Sequence, residues 1–277
     1  MRRFLFPLLF ATSFPSGAQN SRIVYEKISP ALIQQRLEAV VPKLRDRRAA
    51  LEAMFREAGC DGDNLTTQKI SGSSEPNIIC SLPAAEGAAT TIVVGGHYDK
   101  VSAGMGAVDD WSGVVLLPSL YQSLKGQPRH HRYVFIAFTG EEEGLYGSAG
   151  YVHKLSKTER ANILAMINLE CLGLTPPKVW ASRADKRLLA AYAKVARSLG
   201  IEVAGSNADK VGDDDSHSFL NAKIPVLSIH SLTTETFPIL HTARDQVAAI
   251  HADDYYAAYQ VTVVLLAHLD TSLEPAL

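Results

Sequence analysis

Apolar runs of strand length alternate with helix-like segments along most of this chain, and few architectures satisfy such an order. The runs at residues 90–95, Arg132–Phe138, 163–169 and 224–229 are apolar at consecutive positions rather than at every second one. That pattern belongs to strands covered on both faces, as in a parallel sheet whose crossovers are helices. Residues 67–81 read as a further strand and residues 179–182 as a shorter one. Helical spacing of apolar residues marks one or two helices within 29–58, then helices over 112–124, 147–155, 185–199 and 252–269. Ser112 reads as the N-cap of the helix it opens, Pro118 as a kink within it, and Gly200 as the stop of the helix over 185–199. The expected fold class is α/β: a mostly parallel mixed β-sheet flanked by helices on both faces. Neither an internal repeat nor a linker interrupts the order, so residues 19–277 read as a single domain.

The first 18 residues stand apart. Arg2 and Arg3 precede an apolar stretch over residues 4–14, and Ser16-Gly17-Ala18 offers small residues for cleavage, so residues 1–18 read as a signal peptide. The stretch is too short, and too interrupted by Pro7, Ser13 and Pro15, to span a bilayer, and no stable membrane anchor is expected. The predicted location is secreted or periplasmic. Export permits a disulfide between Cys60 and Cys80, with Cys171 left over; three reduced cysteines fit the spacing equally well. A formal net charge of -2 shows no excess of basic residues, which argues against a nucleic-acid partner.

Chemistry concentrates where the apolar runs end. Gly95-Gly96-His97-Tyr98-Asp99 closes the first, Glu141-Glu142-Glu143 follows the second, and Glu170 closes the third. The C-terminal edge of a parallel sheet is where such folds place their ligand sites. Burying several carboxylates beside one imidazole demands compensating positive charge, which a divalent cation supplies most simply. His97 offers a neutral nitrogen ligand, and Asp99 can hold the ring and fix its tautomer from behind. Asp109 lies beyond a flexible loop over 102–107 that can fold its carboxylate back toward His97, and its two oxygens can serve two cations. Glu141 and Glu142 can divide their roles, one binding metal and the other accepting a proton from water. Glu143 is left to solvent.

In order and spacing, His97-Tyr98-Asp99, Asp109-Asp110-Trp111-Ser112-Gly113, and Glu141-Glu142 followed by Gly147-Ser148 resemble the motifs of the M28 metallopeptidases. That family includes secreted bacterial leucyl aminopeptidases and glutamate carboxypeptidases, and the resemblance covers residues 90–269. It implies a zinc-dependent exopeptidase fold with two zinc ions joined by one aspartate. The implied activity is hydrolysis of N-terminal bonds in a peptide substrate with a free N-terminus. Carried over residue by residue, the resemblance makes His97 a ligand of one zinc and Asp109 the bridging carboxylate. It makes Glu141 the general base and Glu142 a ligand of the second zinc. Glu170, in Ile167-Asn168-Leu169-Glu170, stands where the family usually has aspartate. The last ligand is His241, in Leu240-His241-Thr242-Ala243-Arg244-Asp245.

Glu170 keeps the carboxylate but adds a methylene, a departure that bears on metal identity and occupancy. A second departure lies in residues 213–219. Alignment on Phe219 puts Ser216 where many relatives carry histidine and leaves His217 one position off, as a pocket-wall or solvated residue. His230 reads as a hydrogen-bonded packing residue near the pocket, and His130 and His131 as a solvated edge. The loops around 102–107, 207–216 and 232–240 are expected to form the pocket walls. Ser112 and Ser216 lack the Gly-x-Ser-x-Gly elbow of a nucleophilic serine. Two rival functions remain. One is a glutaminyl cyclase-like zinc acyltransferase, which closes N-terminal glutamine without hydrolysis. The other is a noncatalytic binding domain on the same fold, which a missing base or ligand would favour; none is missing here.

Overall fold

The computed structural model describes residues 24–84, 89–207 and 212–274, so the expected signal peptide lies outside the described residues. The chain opens with α1 (Pro30–Glu38), capped by the Ser29 hydroxyl on the Leu32 N–H, and α2 (Leu44–Glu57). Strands β1 (Leu65–Gln68), β2 (Asn77–Leu82) and β3 (Thr91–His97) follow, then a short π-helical turn over Ala107–Trp111, α3 (Ser112–Val114) and α4 (Leu116–Lys125). Next come β4 (Arg132–Phe138), α5 (Tyr146–Lys154), α6 (Lys157–Asn162), β5 (Ile163–Glu170) and β6 (Lys178–Val179). The described chain closes with α7 (Lys186–Ser198), α8 (Ser216–Asn221), β7 (Val226–His230) and α9 (Ala252–Ser272).

The strands form one mixed sheet in the order β1-β2-β4-β3-β5-β7-β6. Its centre, β4-β3-β5-β7, is parallel; β2 and β6 lie antiparallel to their neighbours on either side. Alternation along β3 explains the two layers. Ile92 and Val94 enter the larger core beneath α1, α2, α4, α7 and α9, whereas Val93 enters a smaller core with Val152 of α5 and Phe219 of α8. Helices thus cover both faces, as the apolar runs require. Among the described residues no helix is long and apolar enough to cross a membrane.

Local differences from the sequence reading have physical causes. Residues 67–81 hold two strands rather than one: β1 and β2 pair antiparallel, with Leu65 opposite Cys80, across a turn that contains Gly72 at φ +92°. The strand expected over 179–182 is the shorter Lys178–Val179. Ser112 is no N-cap, because the π-helical turn already precedes it. Its hydroxyl donates to the Val108 carbonyl at 2.7 Å and accepts from the Leu172 N–H at 2.7 Å. The interruption of that helix falls at Val115, one turn before Pro118, which has no N–H for the Val114 carbonyl. By contrast α7 starts where Asp185 accepts from the Arg187 and Leu188 N–H groups, and ends before Gly200 at φ +69°. Helix α6 lies outside the segments marked by apolar periodicity and opens on a reciprocal capping box of Ser156 and Glu159, which the S-x-x-E spacing announces.

Cys60, just after α2, and Cys80 on β2 form a disulfide with an S–S distance of 2.07 Å; Cys171 is a buried free thiol. His131 departs from its expected solvated edge. It is buried, with one ring nitrogen 2.7 Å from the Thr90 hydroxyl and the other 3.1 Å from the Leu273 carbonyl.

Candidate metal centre

Parallel pairing of β3 with β5 sets Gly95 beside Asn168, so two residues further on, on the same face, His97 and Glu170 meet. His97 is fully buried at the strand end. Its Nε2 lies 3.1 Å from Asp109 Oδ1 and 3.4 Å from Glu170 Oε1, with Glu141 Oε2 at 3.9 Å. Its Nδ1 faces Asp99 Oδ1 at 3.4 Å. Asp99 also accepts from the Glu141 and Glu142 N–H groups, at 3.2 and 3.1 Å, and so fixes the turn after β4 against the end of β3. On the far side, His241 Nε2 lies 3.0 Å from Asp109 Oδ2 and 3.1 Å from Glu142 Oε2. Asp109 therefore stands between two imidazoles, one oxygen toward each.

Two sets of three ligand atoms result, one from His97, Asp109 and Glu170 and one from Asp109, Glu142 and His241. The atoms of each set lie within 4.8 Å of one another. Every residue singled out for this site in the sequence is brought to it. His217 is not: it does not line the cavity, and its Nδ1 faces Asp213 Oδ1 at 3.2 Å. His230 does reach that wall, but the Leu232 N–H donates to its Nδ1 and its Nε2 is 3.1 Å from the Ser206 carbonyl, which leaves a neutral, internally bonded ring.

The carboxylates of this cluster crowd one another. Burial pushes the Glu141 carboxyl up to about 10, with Glu170 and Asp215 adding to the effect against the pull of His97. Burial and then Asp109 push Glu142 up to about 7, and Glu170 is likewise raised by burial. Burial alone would lower His97, yet Glu141, Glu170 and its partners Asp109 and Asp99 raise it well above its usual value. His241 is raised to about 9, chiefly through Asp109. Carboxylates that must take protons, and imidazoles that must keep them, are what a site built around missing positive charge shows. The donor set of two imidazoles and carboxylate oxygens suits zinc.

Several residues support the site in roles that the sequence does not spell out. Asp110 is fully buried and collects three backbone donors, the His97 N–H at 3.2 Å, the Gly113 N–H at 3.1 Å and the Cys171 N–H at 3.0 Å. It thereby joins the ends of β3 and β5 to the Asp109 turn. A Cβ on Gly113 would stand 2.5 Å from Asp110 Oδ1 and from the Leu169 carbonyl, so only glycine permits this approach. Asp110→Asn turns one acceptor into a donor facing an N–H, and is expected to cost about 1–3 kcal/mol of stability in denaturant unfolding. An unchanged midpoint would remove this role.

Asp245 accepts from the Val108 N–H at 2.7 Å and the Asp109 N–H at 3.4 Å, which ties the His241 loop to the Asp109 turn. Arg47, from α2, donates to the carbonyls of Tyr98, Met105 and Gly106 behind the site; burial lowers its guanidinium to about 10.

A cavity of about 310 Å³ opens from the centre, lined on its apolar side by Cys171, Trp180, Leu232, Phe237 and Leu240. Gly212, Asp213 and Asp214 also reach it, but no described residue of the 102–107 loop does, contrary to expectation. Arg47 instead holds the end of that loop against the scaffold.

Residues 77–265 match the model of peptidase family M28. Leupeptin-inactivating enzyme 1 of Streptomyces exfoliatus is 31% identical over 170 residues, 60% of this chain and 38% of that protein. Aminopeptidase YwaD of Bacillus subtilis is 34% identical over 110 residues, 40% of this chain and 23% of that protein. The chain thus spans well under half the length of these two relatives. In fold it is similar to the zinc aminopeptidase BSAP of Bacillus subtilis, with a TM-score of 0.66, 24% identity, and coverage of 72% of this chain and 51% of that one. It is also similar to an Acidobacteriales bacterium glutaminyl cyclase, with a TM-score of 0.71, 20% identity, and coverage of 94% and 99%.

Proposed function

The chain belongs to peptidase family M28, and from that premise we propose that it is a zinc-dependent exopeptidase that hydrolyses N-terminal peptide bonds. The observation that carries this reading is the position of Asp109 between His97 and His241, with the Glu141 carboxylate beside the same cluster and on the cavity wall. His97, Asp109 and Glu170 would hold one zinc and Asp109, Glu142 and His241 the other. Bound zinc supplies Lewis acidity toward the scissile carbonyl and lowers the pKa of water at the site.

The remaining roles fall to the chain's own side chains. Glu141 takes the proton of the attacking water and hands it to the leaving amine. Asp99 orients the His97 ring and the Glu141–Glu142 turn together. The surplus of carboxylates attracts a free α-ammonium, and the apolar wall of Trp180, Leu232, Phe237 and Leu240 favours an uncharged first side chain. Residues 1–18 act as a cleaved export signal before a single peptidase domain over 19–277, and the product is secreted or periplasmic; the Cys60–Cys80 disulfide suits such a compartment.

A glutaminyl cyclase is the second reading, favoured by the near-complete mutual coverage with the cyclase fold. A panel separates the two: leucyl and phenylalanyl dipeptides are expected to be hydrolysed at their N-terminal bond, and N-terminal glutamine to be released rather than closed to pyroglutamate. Mass spectra showing loss of ammonia from Gln-peptides, without hydrolysis of Leu-peptides, would reverse the assignment.

A further inference from the structure

We propose that Asn168 is a positioning residue that holds Glu170 as a one-oxygen ligand, so that the longer side chain serves the ion shared with His97 and Asp109. The inference rests on the two-ion reading above. Positions 168 and 170 of β5 point to the same face of the sheet. Asn168 Nδ2 donates to Glu170 Oε2 at 3.1 Å, while Glu170 Oε1 is turned toward His97 Nε2 at 3.4 Å. One carboxylate oxygen is thus tethered to the strand, while the other, which also accepts from the Cys171 thiol at 3.6 Å, is turned toward the centre.

The surroundings leave the amide few other tasks. Asn168 is fully buried, and its Oδ1 accepts from none of the described residues. The bond to Glu170 is therefore the one that orients the side chain, since the reversed amide would set two acceptors face to face. Its neighbours on the flanking strands are Gly95 of β3 and Ser228 of β7, both small. Ser228 directs its hydroxyl to Asp214 and does not compete for the amide.

The tether answers a definite need. Relative to aspartate, glutamate carries its carboxylate one C–C bond further, about 1.5 Å, and adds a rotatable bond whose freedom must be lost on binding a metal. A hydrogen bond to the oxygen that is not offered to the ion removes that freedom beforehand, as groups behind metal ligands do.

The test is a zinc titration against a competing chelator, with cobalt(II) absorption as a second readout, on metal-free wild type, N168A, E170D and the double variant. Wild type is expected to bind two ions. N168A should weaken one of them about 10- to 100-fold, change its cobalt spectrum, and leave the other ion as it was. In E170D the carboxylate is drawn back by one C–C bond, about 1.5 Å, and is expected to lose the amide, so adding N168A should change little, and the two substitutions should be non-additive. N168A binding both ions as tightly as wild type, or having the same effect in both backgrounds, overturns the proposal. Wild type that takes up a single ion instead overturns the two-ion reading itself, and this inference with it. If N168A does not fold, N168S, whose hydroxyl is too short to reach Glu170, takes its place with the same expected outcomes.

Discussion

Glu141→Gln is expected to lower kcat for N-terminal hydrolysis by about 10²- to 10⁴-fold while bound metal and fold are retained. Glutamine keeps the shape of the side chain but cannot accept a proton, and Glu141 belongs to neither three-atom ligand set. Stability supplies an independent readout. In the metal-free chain the Glu141 carboxyl is pushed up to about 10, far above the ordinary value near 4.3. At neutral pH the fold therefore holds a group protonated that the unfolded chain ionises freely. The neutral amide removes that cost, so metal-free Glu141→Gln should melt no lower than wild type. Wild-type turnover in the variant would remove Glu141 from the role of base.

Stripping zinc with a chelator should abolish activity and lower the melting temperature, by an amount that grows with pH. The sign follows from the direction of the shifts. Glu141 at about 10 and Glu142 at about 7 have folded values above their unfolded ones. Their contribution is full below the unfolded value near 4.3 and is lost as pH rises through 7 and on to 10. His241, at about 9, contributes below its unfolded value near 6.5 and loses that contribution as pH rises through 9. Each group thus weakens the metal-free chain in the same direction. Zinc gains over the same range, because its ligands must be deprotonated to bind. At a thousand times its dissociation constant, zinc adds about 4 kcal/mol. Melting curves with and without zinc at about pH 5, 7 and 9 should therefore diverge; parallel curves would contradict the crowded-carboxylate account.

Part of this centre was legible in the sequence because two of its candidate ligands, His97 and Glu170, sit at strand ends. An apolar run that stops at His97 or Glu170 locates the residue on the sheet edge, and neighbouring parallel strands then bring such ends together. What stayed hidden acts through backbone groups. Asp110 looks like any second member of an acidic pair until the N–H groups of His97, Gly113 and Cys171 converge on it. Arg47 reads as one more charged residue on an amphipathic helix, and its real partners are main-chain carbonyls some fifty residues away. Ser112 shows the same: it has the chemistry of a cap, but its hydroxyl is taken by the Val108 carbonyl of the π-helical turn and by the Leu172 N–H after β5.

Arg47 also bears on what the fold needs upstream of the sheet. The match to the family model starts at residue 77, whereas the guanidinium that gathers the carbonyls of Tyr98, Met105 and Gly106 enters from α2, thirty residues earlier. The same helix is stapled to β2 through Cys60 and Cys80, so the oxidised chain fastens this buttress to the sheet that carries His97. A boundary drawn at the start of the family-model match would cut away the helix against which the Asp109 turn is braced.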